Sequence, residues 1–308
     1  MHQSERKMDS FTITLPSNVS NNDSAKNRIS SYQTKLAQRI DLDGEWHVGL
    51  YEISYTKSWY NIPKRESIEL LDYSGQRFGW TSLEPGFFRD GQSLQASIEE
   101  ALTKEMHAYP TRYEPNTEEG MVDFTKEIIV VTHPKIESQP QIFFDSNSHR
   151  FELKFGRDEN DNPIFVTFSS DLRSMLGFDK SEFDSIISAC RERVIKGNPI
   201  EDSLLCVQAK YPAEMRGGYH TLFLYTDIVK PSLVGDRYAQ ILRTITVPNE
   251  AKFGDQCVIS YPNPIYFPLH VRNFQNIQLE LRDDSGLLIP FQFGRTIVTL
   301  HFKKDEKL

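Results

Sequence analysis

In the last third of the chain apolar side chains fall on every second residue, and this period constrains the fold more than any other feature. Ile277, Leu279 and Leu281 alternate with Gln278, Glu280 and Arg282. After the cluster Asp283-Asp284-Ser285-Gly286, Ile289, Phe291 and Phe293 alternate again, and a third run carries Ile297, Val298, Leu300 and Phe302. Successive side chains of a strand point to opposite faces of its sheet, so period two marks half-buried strands. An Asp/Ser/Gly cluster between two such runs predicts a hairpin. The scaffold is therefore antiparallel β.

The same period recurs upstream. Phe11, Ile13 and Leu15 form a short strand stopped by Pro16. Residues 29–40 fit either periodicity, and their β neighbours favour a strand. Trp46, Val48 and Leu50 open a long central strand running through Ile53 and Tyr55 toward Trp59. Ile142–Phe144 and Phe151–Phe155 flank a polar turn and read as a hairpin, Ile164–Phe168 adds a strand, and Glu127–Thr132 reads as another. Two regions differ. Leu94, Ile98, Leu102 and Met106 are four apart, with Asp90 or Ser93 placed to cap, which predicts a helix over about 90–110 that docks on a sheet. Residues 169–196 predict one or two more helices, the first closed by Gly177. The sum is roughly ten short strands with two to three inserted helices, a sandwich or barrel. No repeat appears and no linker is long enough to separate two domains. Residues 1–10 read as a mobile N-terminal arm and 11–308 as one domain.

The chain of 308 residues carries a formal charge of −8. Nucleic-acid binding draws on a basic stripe that displaces phosphate counterions, so no direct nucleic-acid partner is expected. The densest basic cluster, Arg191, Arg193 and Lys196, is interrupted by acids and reads as a solvated helix face. No run approaches the ~18 apolar residues of a membrane span. Three cysteines at long spacings, Cys190, Cys206 and Cys257, fit neither a disulfide framework nor a zinc site and read as reduced thiols of a protein assembled inside a cell.

Chemistry is sparse. The eight histidines show no metal-ligand spacing, and His47, His270 and His301 read as sheet-surface or hydrogen-bonded core residues. No nucleophile elbow, phosphate loop or dinucleotide turn occurs. Asp158-Glu159-Asn160-Asp161-Asn162 lacks the closing glutamate of a calcium loop and reads as a turn. Arg216-Gly217-Gly218-Tyr219 reads as another turn. No catalytic residue, cofactor site or metal site is expected, and the chain reads as a non-enzyme. Trp46, Trp59 and Trp80 suit core or interface packing better than base stacking, since no basic residues are interleaved. Trp59 and Tyr60, two large aromatics where a strand ends, are the candidate subunit-interface anchors.

Several short blocks, in order, carry a resemblance. They are the Leu15-Pro16-Ser17 start, Gly-Glu-Trp-x-Val-Gly-Leu-x-Glu-Ile from Gly44 to Ile53, Leu176-Gly177-Phe178, the Val234-Gly235-Asp236 turn, and Asp-x-x-Gly-x-x-x-Pro-Phe-x-Phe-Gly from Asp283 to Gly294. In these the chain resembles the minor capsid, or penton, proteins of Polinton (Maverick) elements and adintovirus-like viruses. The resemblance covers nearly the whole chain after residue 10, except roughly 110–140. It implies a jelly-roll protein of the virion capsid that forms homopentamers at the five-fold vertices of an icosahedral shell, beside a double jelly-roll major capsid protein. Two other readings stand beside it. One is a soluble β-sandwich module, viral or host-domesticated, that binds a glycan or receptor. The other is a hexon-type shell subunit, for which the chain is short.

Overall fold

A computed structural model describes residues 9–18, 27–108 and 135–305. In chain order the elements begin with β1 (Ser10–Pro16), β2 (Ser31–Asp41), β3 (Trp46–Thr56), β4 (Glu66–Leu71), β5 (Arg77–Leu83) and α1 (Gly91–Ala108). There follow β6 (Ile136–Ser138), β7 (Gln141–Asp145), β8 (Arg150–Lys154), β9 (Gly156–Asp158), β10 (Pro163–Phe168), α2 (Ser170–Leu176), α3 (Lys180–Ile195) and β11 (Cys206–Gln208). The chain closes with β12 (Thr221–Thr226), β13 (Ser232–Val234), β14 (Arg237–Ala239), β15 (Ile241–Thr246), β16 (Gln256–Ser260), β17 (Phe267–Pro268), β18 (Asn273–Arg282) and β19 (Thr296–Lys304). The expected arm lies outside the described residues up to residue 8, and Ser10 already belongs to β1. The strand expected at Glu127–Thr132 also lies outside them.

The chain divides into two compact units: residues 1–60 with 218–308, and residues 61–217. The first is an antiparallel jelly roll. One sheet runs β1-β19-β3-β16, with β17 pairing the start of β3, and the other runs β15-β12-β18-β2. Labelling its eight principal strands B to I in chain order makes these sheets BIDG and CHEF, the double Greek key of a jelly roll. Both sheets feed one core. Leu15, Val48, Leu50, Ile53, Tyr55, Val298, Leu300 and Phe302 come from the first sheet. Tyr32, Leu222, Leu224, Ile245, Ile277, Leu279 and Leu281 come from the second. Phe274 and Phe302 stack across the sheets at 5.8 Å, and the Tyr32 hydroxyl donates to the Leu15 carbonyl at 3.0 Å. On edge strand β15, Arg243 lays its guanidinium 4.1 Å from the Tyr261 ring centre. A charge held at a sheet edge discourages edge-to-edge pairing.

The second unit enters between the third and fourth jelly-roll strands and has its own core. Its sheets run β5-β4-β10-β9-β6 and β11-β8-β7. Helix α1 packs on β5 and β7 through Leu94, Ile98 and Leu102, as its four-residue stripe predicts. Its cap is Asp90, whose carboxylate accepts from the Ser93 amide at 2.9 Å. Helix α2 ends at Gly177, where φ is +85° and an added Cβ would lie 2.1 Å from the Tyr211 carbonyl oxygen, so only glycine fits. The helices thus belong to an inserted unit, and the jelly roll does not span 11–308 as the sequence suggests. The insertion leaves no linker signature because β3 ends at Thr56 and only four residues, Lys57 to Tyr60, lead from it into residue 61. The return falls at the glycine pair Gly217-Gly218, both at positive φ.

Strand β2 resolves the ambiguity over 29–40 as expected. The hairpin expected after β18 is only a turn. Asp283 Oδ1 accepts from the Leu287 amide at 2.8 Å and from the Ser285 hydroxyl at 2.7 Å. Beyond one bridge between Arg282 and Leu288, however, no ladder forms. Both edges of β18 are already taken by β2 and β12, and Pro290 has no amide to donate.

Candidate assembly surface

Trp59 and Tyr60 end up in different surroundings, and the expectation that both anchor a subunit contact is corrected for Trp59. Beyond β3 the indole turns inward and is 1% exposed. Tyr55, Tyr219 and Phe291 surround it with ring centres 6.2, 5.7 and 5.5 Å away. The segment after the Asp283 turn is folded over this site. Ser58 Oγ donates to the Phe293 carbonyl at 2.6 Å, and Gln292 N donates to the Ser58 carbonyl at 3.1 Å. Gly294, at φ +96°, lets the backbone pass Thr56, whose Oγ1 would lie 2.3 Å from an added Cβ. The spacing Asp283 to Gly294 is thus a lid over the indole, and a buried lid and an exposed anchor both present as aromatic residues in sequence.

Tyr60 is half-buried. Its ring stacks on Phe253 at 6.0 Å, and Phe253 meets Phe293 edge-on at 5.5 Å. Phe293 is 46% exposed, so this row ends in an apolar step on the jelly roll.

A second surface was not among the sequence-derived candidates. Strands β13 and β14 pair only with each other, as a ribbon closed by Val234-Gly235-Asp236 with Gly235 at φ +61°. Leu233 is 67% exposed and Tyr238 78%. The root is fixed by Gln240, whose Nε2 donates to the Asp227 and Val229 carbonyls at 3.2 and 2.9 Å. Three-residue strands carry too little alternation to be read from sequence. The signal was the Val-Gly-Asp turn itself.

The outer face of the first sheet carries several polar pairs. Ser260 Oγ donates to Glu52 at 2.8 Å, Thr14 and Thr299 hydroxyls meet at 3.2 Å, and Tyr266 Oη lies 2.7 Å from His301 Nδ1. Arg282 is held by Glu280 in its own strand at 2.7 Å. The Asp158 carboxylate is used by its turn, accepting from the Asn160 and Asn162 amides at 2.9 and 2.8 Å.

Burial holds several titratable groups toward their neutral forms. Burial pushes the Cys190, Cys206 and Cys257 thiols up, away from the reactive thiolate. It also pushes up the Tyr32 and Tyr55 phenols and the Asp227 carboxyl. No cluster of metal-ligating side chains occurs among the described residues, and no helix among them is long and apolar enough to cross a membrane. Trp46 is buried with its indole N–H donating to the Asp43 carbonyl at 3.0 Å, whereas Trp80 is exposed on the other unit, so the tryptophans build no common stacking platform.

No family model and no curated protein matches the chain. Among solved structures it is similar to the penton protein of mavirus, at 14% sequence identity and a TM-score of 0.49, over 96% of this chain and 99% of that one.

Proposed function

We propose that the chain is a structural virion protein, a penton-type minor capsid subunit that forms a homopentamer at capsid vertices and meets a double jelly-roll major capsid protein there. The observation that carries the reading is the placement of the resemblance blocks on the fold. Gly44 to Ile53 builds the central strand β3, Leu176-Gly177-Phe178 closes α2, Val234-Gly235-Asp236 turns the exposed ribbon, and Asp283 to Gly294 is the lid over Trp59. Each block does a definable physical job, three on the jelly roll and Leu176-Gly177-Phe178 in the inserted unit. The reading needs no catalysis and no cofactor. Its place of action is the virion shell.

A closed ring uses heterologous contacts, so each subunit needs two different complementary patches. The ribbon with Leu233 and Tyr238, and the step ending at Phe293, are the two patches assigned to that role. The test is the solution mass by size exclusion with light scattering. The subunit is 35.7 kDa. A species of about 180 kDa, five subunits, supports the closed ring. A trimer supports a hexon-type or receptor-binding reading. A monomer that fails to join shells of the major capsid protein refutes the vertex role.

A further inference from the structure

The jelly roll carries a cleft of about 310 Å³ formed by Leu42, the run 44–47, Lys230, the run 268–272 and Asp305. This is the lower end of the range for small-ligand sites. Its walls are tied by backbone hydrogen bonds. Leu42 N donates to the Arg272 carbonyl at 2.8 Å, Leu269 N to the Trp46 carbonyl at 3.0 Å, Lys230 N to the Pro268 carbonyl at 3.0 Å and Asp305 N to the Glu45 carbonyl at 2.9 Å. The cleft is thus preformed, which cuts the ordering cost of binding.

Its side-chain chemistry is mixed. Lys230 and Arg272 supply permanent cations, Glu45 and Asp305 supply carboxylates, and His47 and His270 add imidazoles. Lys230, Arg272, Glu45 and Asp305 make no ion pair with one another or with other described residues, although opposite charges line the same cleft. A simple anion would be drawn by the cations and repelled by the acids. A neutral polyol would leave the cations unused. Both sets are used together by a ligand that carries a carboxylate next to several hydroxyls. The cations, above all the planar fork of Arg272, then bind the carboxylate, and Glu45 and Asp305 accept from the hydroxyls. We infer that this cleft binds an acidic sugar, a carboxylate-bearing polyol of uronic-acid type. Lys230 lies two residues before β13, so the cleft adjoins the root of the ribbon, but all its walls come from one subunit and it needs no assembly to form.

The test is a ¹H–¹⁵N titration of the full chain with three probes: the methyl glycoside of glucuronic acid, the methyl glycoside of glucose, and acetate. The first carries both functions and the others one each. The expected result is shifts confined to the cleft, with the uronoside binding at least tenfold more tightly than either comparator. K230A and R272A should each weaken it at least fivefold, and E45Q/D305N should weaken it too. Four results overturn the proposal: no cleft shifts, acetate binding as tightly as the uronoside, methyl glucoside doing so, or E45Q/D305N tightening uronoside binding, which would show that the acids only repel. Unchanged folding of each exposed-site variant is read from the same spectra. Failure here leaves the mass measurement of the vertex reading unaffected.

Discussion

Replacing Trp59 by alanine separates a core role from an interface role. The indole is 1% exposed and is surrounded by Tyr55, Tyr219 and Phe291. Truncation removes most of the side chain and leaves a void that these rings cannot all move to fill, because Phe291 is fixed through the Ser58–Phe293 and Gln292–Ser58 hydrogen bonds. Large aromatic-to-alanine changes in cores cost about 3–5 kcal/mol, the transfer term plus the cavity term. For a domain of this size that is a fall in Tm of roughly 6–20 °C. Two compact units can melt separately, so the assay is thermal unfolding followed by near-ultraviolet circular dichroism, with calorimetry to resolve two transitions. Only one transition should move. Trp59→Phe, which keeps a ring against the same neighbours, should recover more than half of the loss. If W59A left both transitions within about 1 kcal/mol of wild type and instead lowered the solution mass, the indole would be a subunit anchor and the core assignment would be wrong.

The ribbon variant L233E/Y238E should do the opposite, leaving the melting temperature within 2 °C or so, as expected of surface changes, while removing the pentameric species from light scattering. Gly177→Ala should destabilise the inserted unit by more than about 1–2 kcal/mol, since it combines positive φ with a carbonyl oxygen 2.1 Å from the new Cβ. Calorimetry should show the other transition moving, not the one that responds to W59A. Asp227 gives a pH signature. Burial raises its carboxyl in the folded state above the ordinary value of 3.8, so the folded chain holds a proton that the unfolded chain releases. Its contribution to stability is complete below that value and is lost as pH rises through the raised one. Asp227→Asn keeps an acceptor for the Gln278 amide, now at 2.9 Å, and should flatten the decline of stability with rising pH above about pH 4. An unchanged slope would remove Asp227 as its source.

Strands long enough to show their period were legible in sequence. Ile277, Leu279 and Leu281 in β18 and Val298, Leu300 and Phe302 in β19 enter the core as their alternation requires. The α1 stripe was legible for the same reason, since one face of a helix must be buried. What failed was pairing. Alternation says that a strand has a buried face but not which neighbour its backbone will bond. Ile289, Phe291 and Phe293 therefore read as the return strand of a hairpin, although β2 and β12, more than 50 residues away in sequence on either view, already occupy both edges of β18. Trp59 was misread by the same gap. A large aromatic just past a strand is an exposed anchor or a lidded core residue depending on a segment more than 200 residues further on, and no local pattern records that contact.

The inserted unit was the larger omission, and its cause suggests how such folds are built. The chain leaves the jelly roll after Tyr60 and returns at Gly218. Within the jelly roll this excursion is a loop between strands D and E, the third and fourth of eight. Loop-closure entropy grows only with the logarithm of loop length, so exchanging a short connection for a folded unit costs the sandwich little, provided that the unit supplies its own core. It does: Leu94, Ile98, Phe151, Phe165 and Phe183 are all buried within it. Its independence is also why no Pro- or Ser-rich linker was selected at the junctions. The sole backbone requirement lies on the return, where Gly217 and Gly218 take positive φ at 70° and 79°. A glycine pair read as a simple turn was the sequence's one mark of a domain boundary. Its substitution by alanine should loosen the junction while leaving both cores, and therefore both calorimetric transitions, in place.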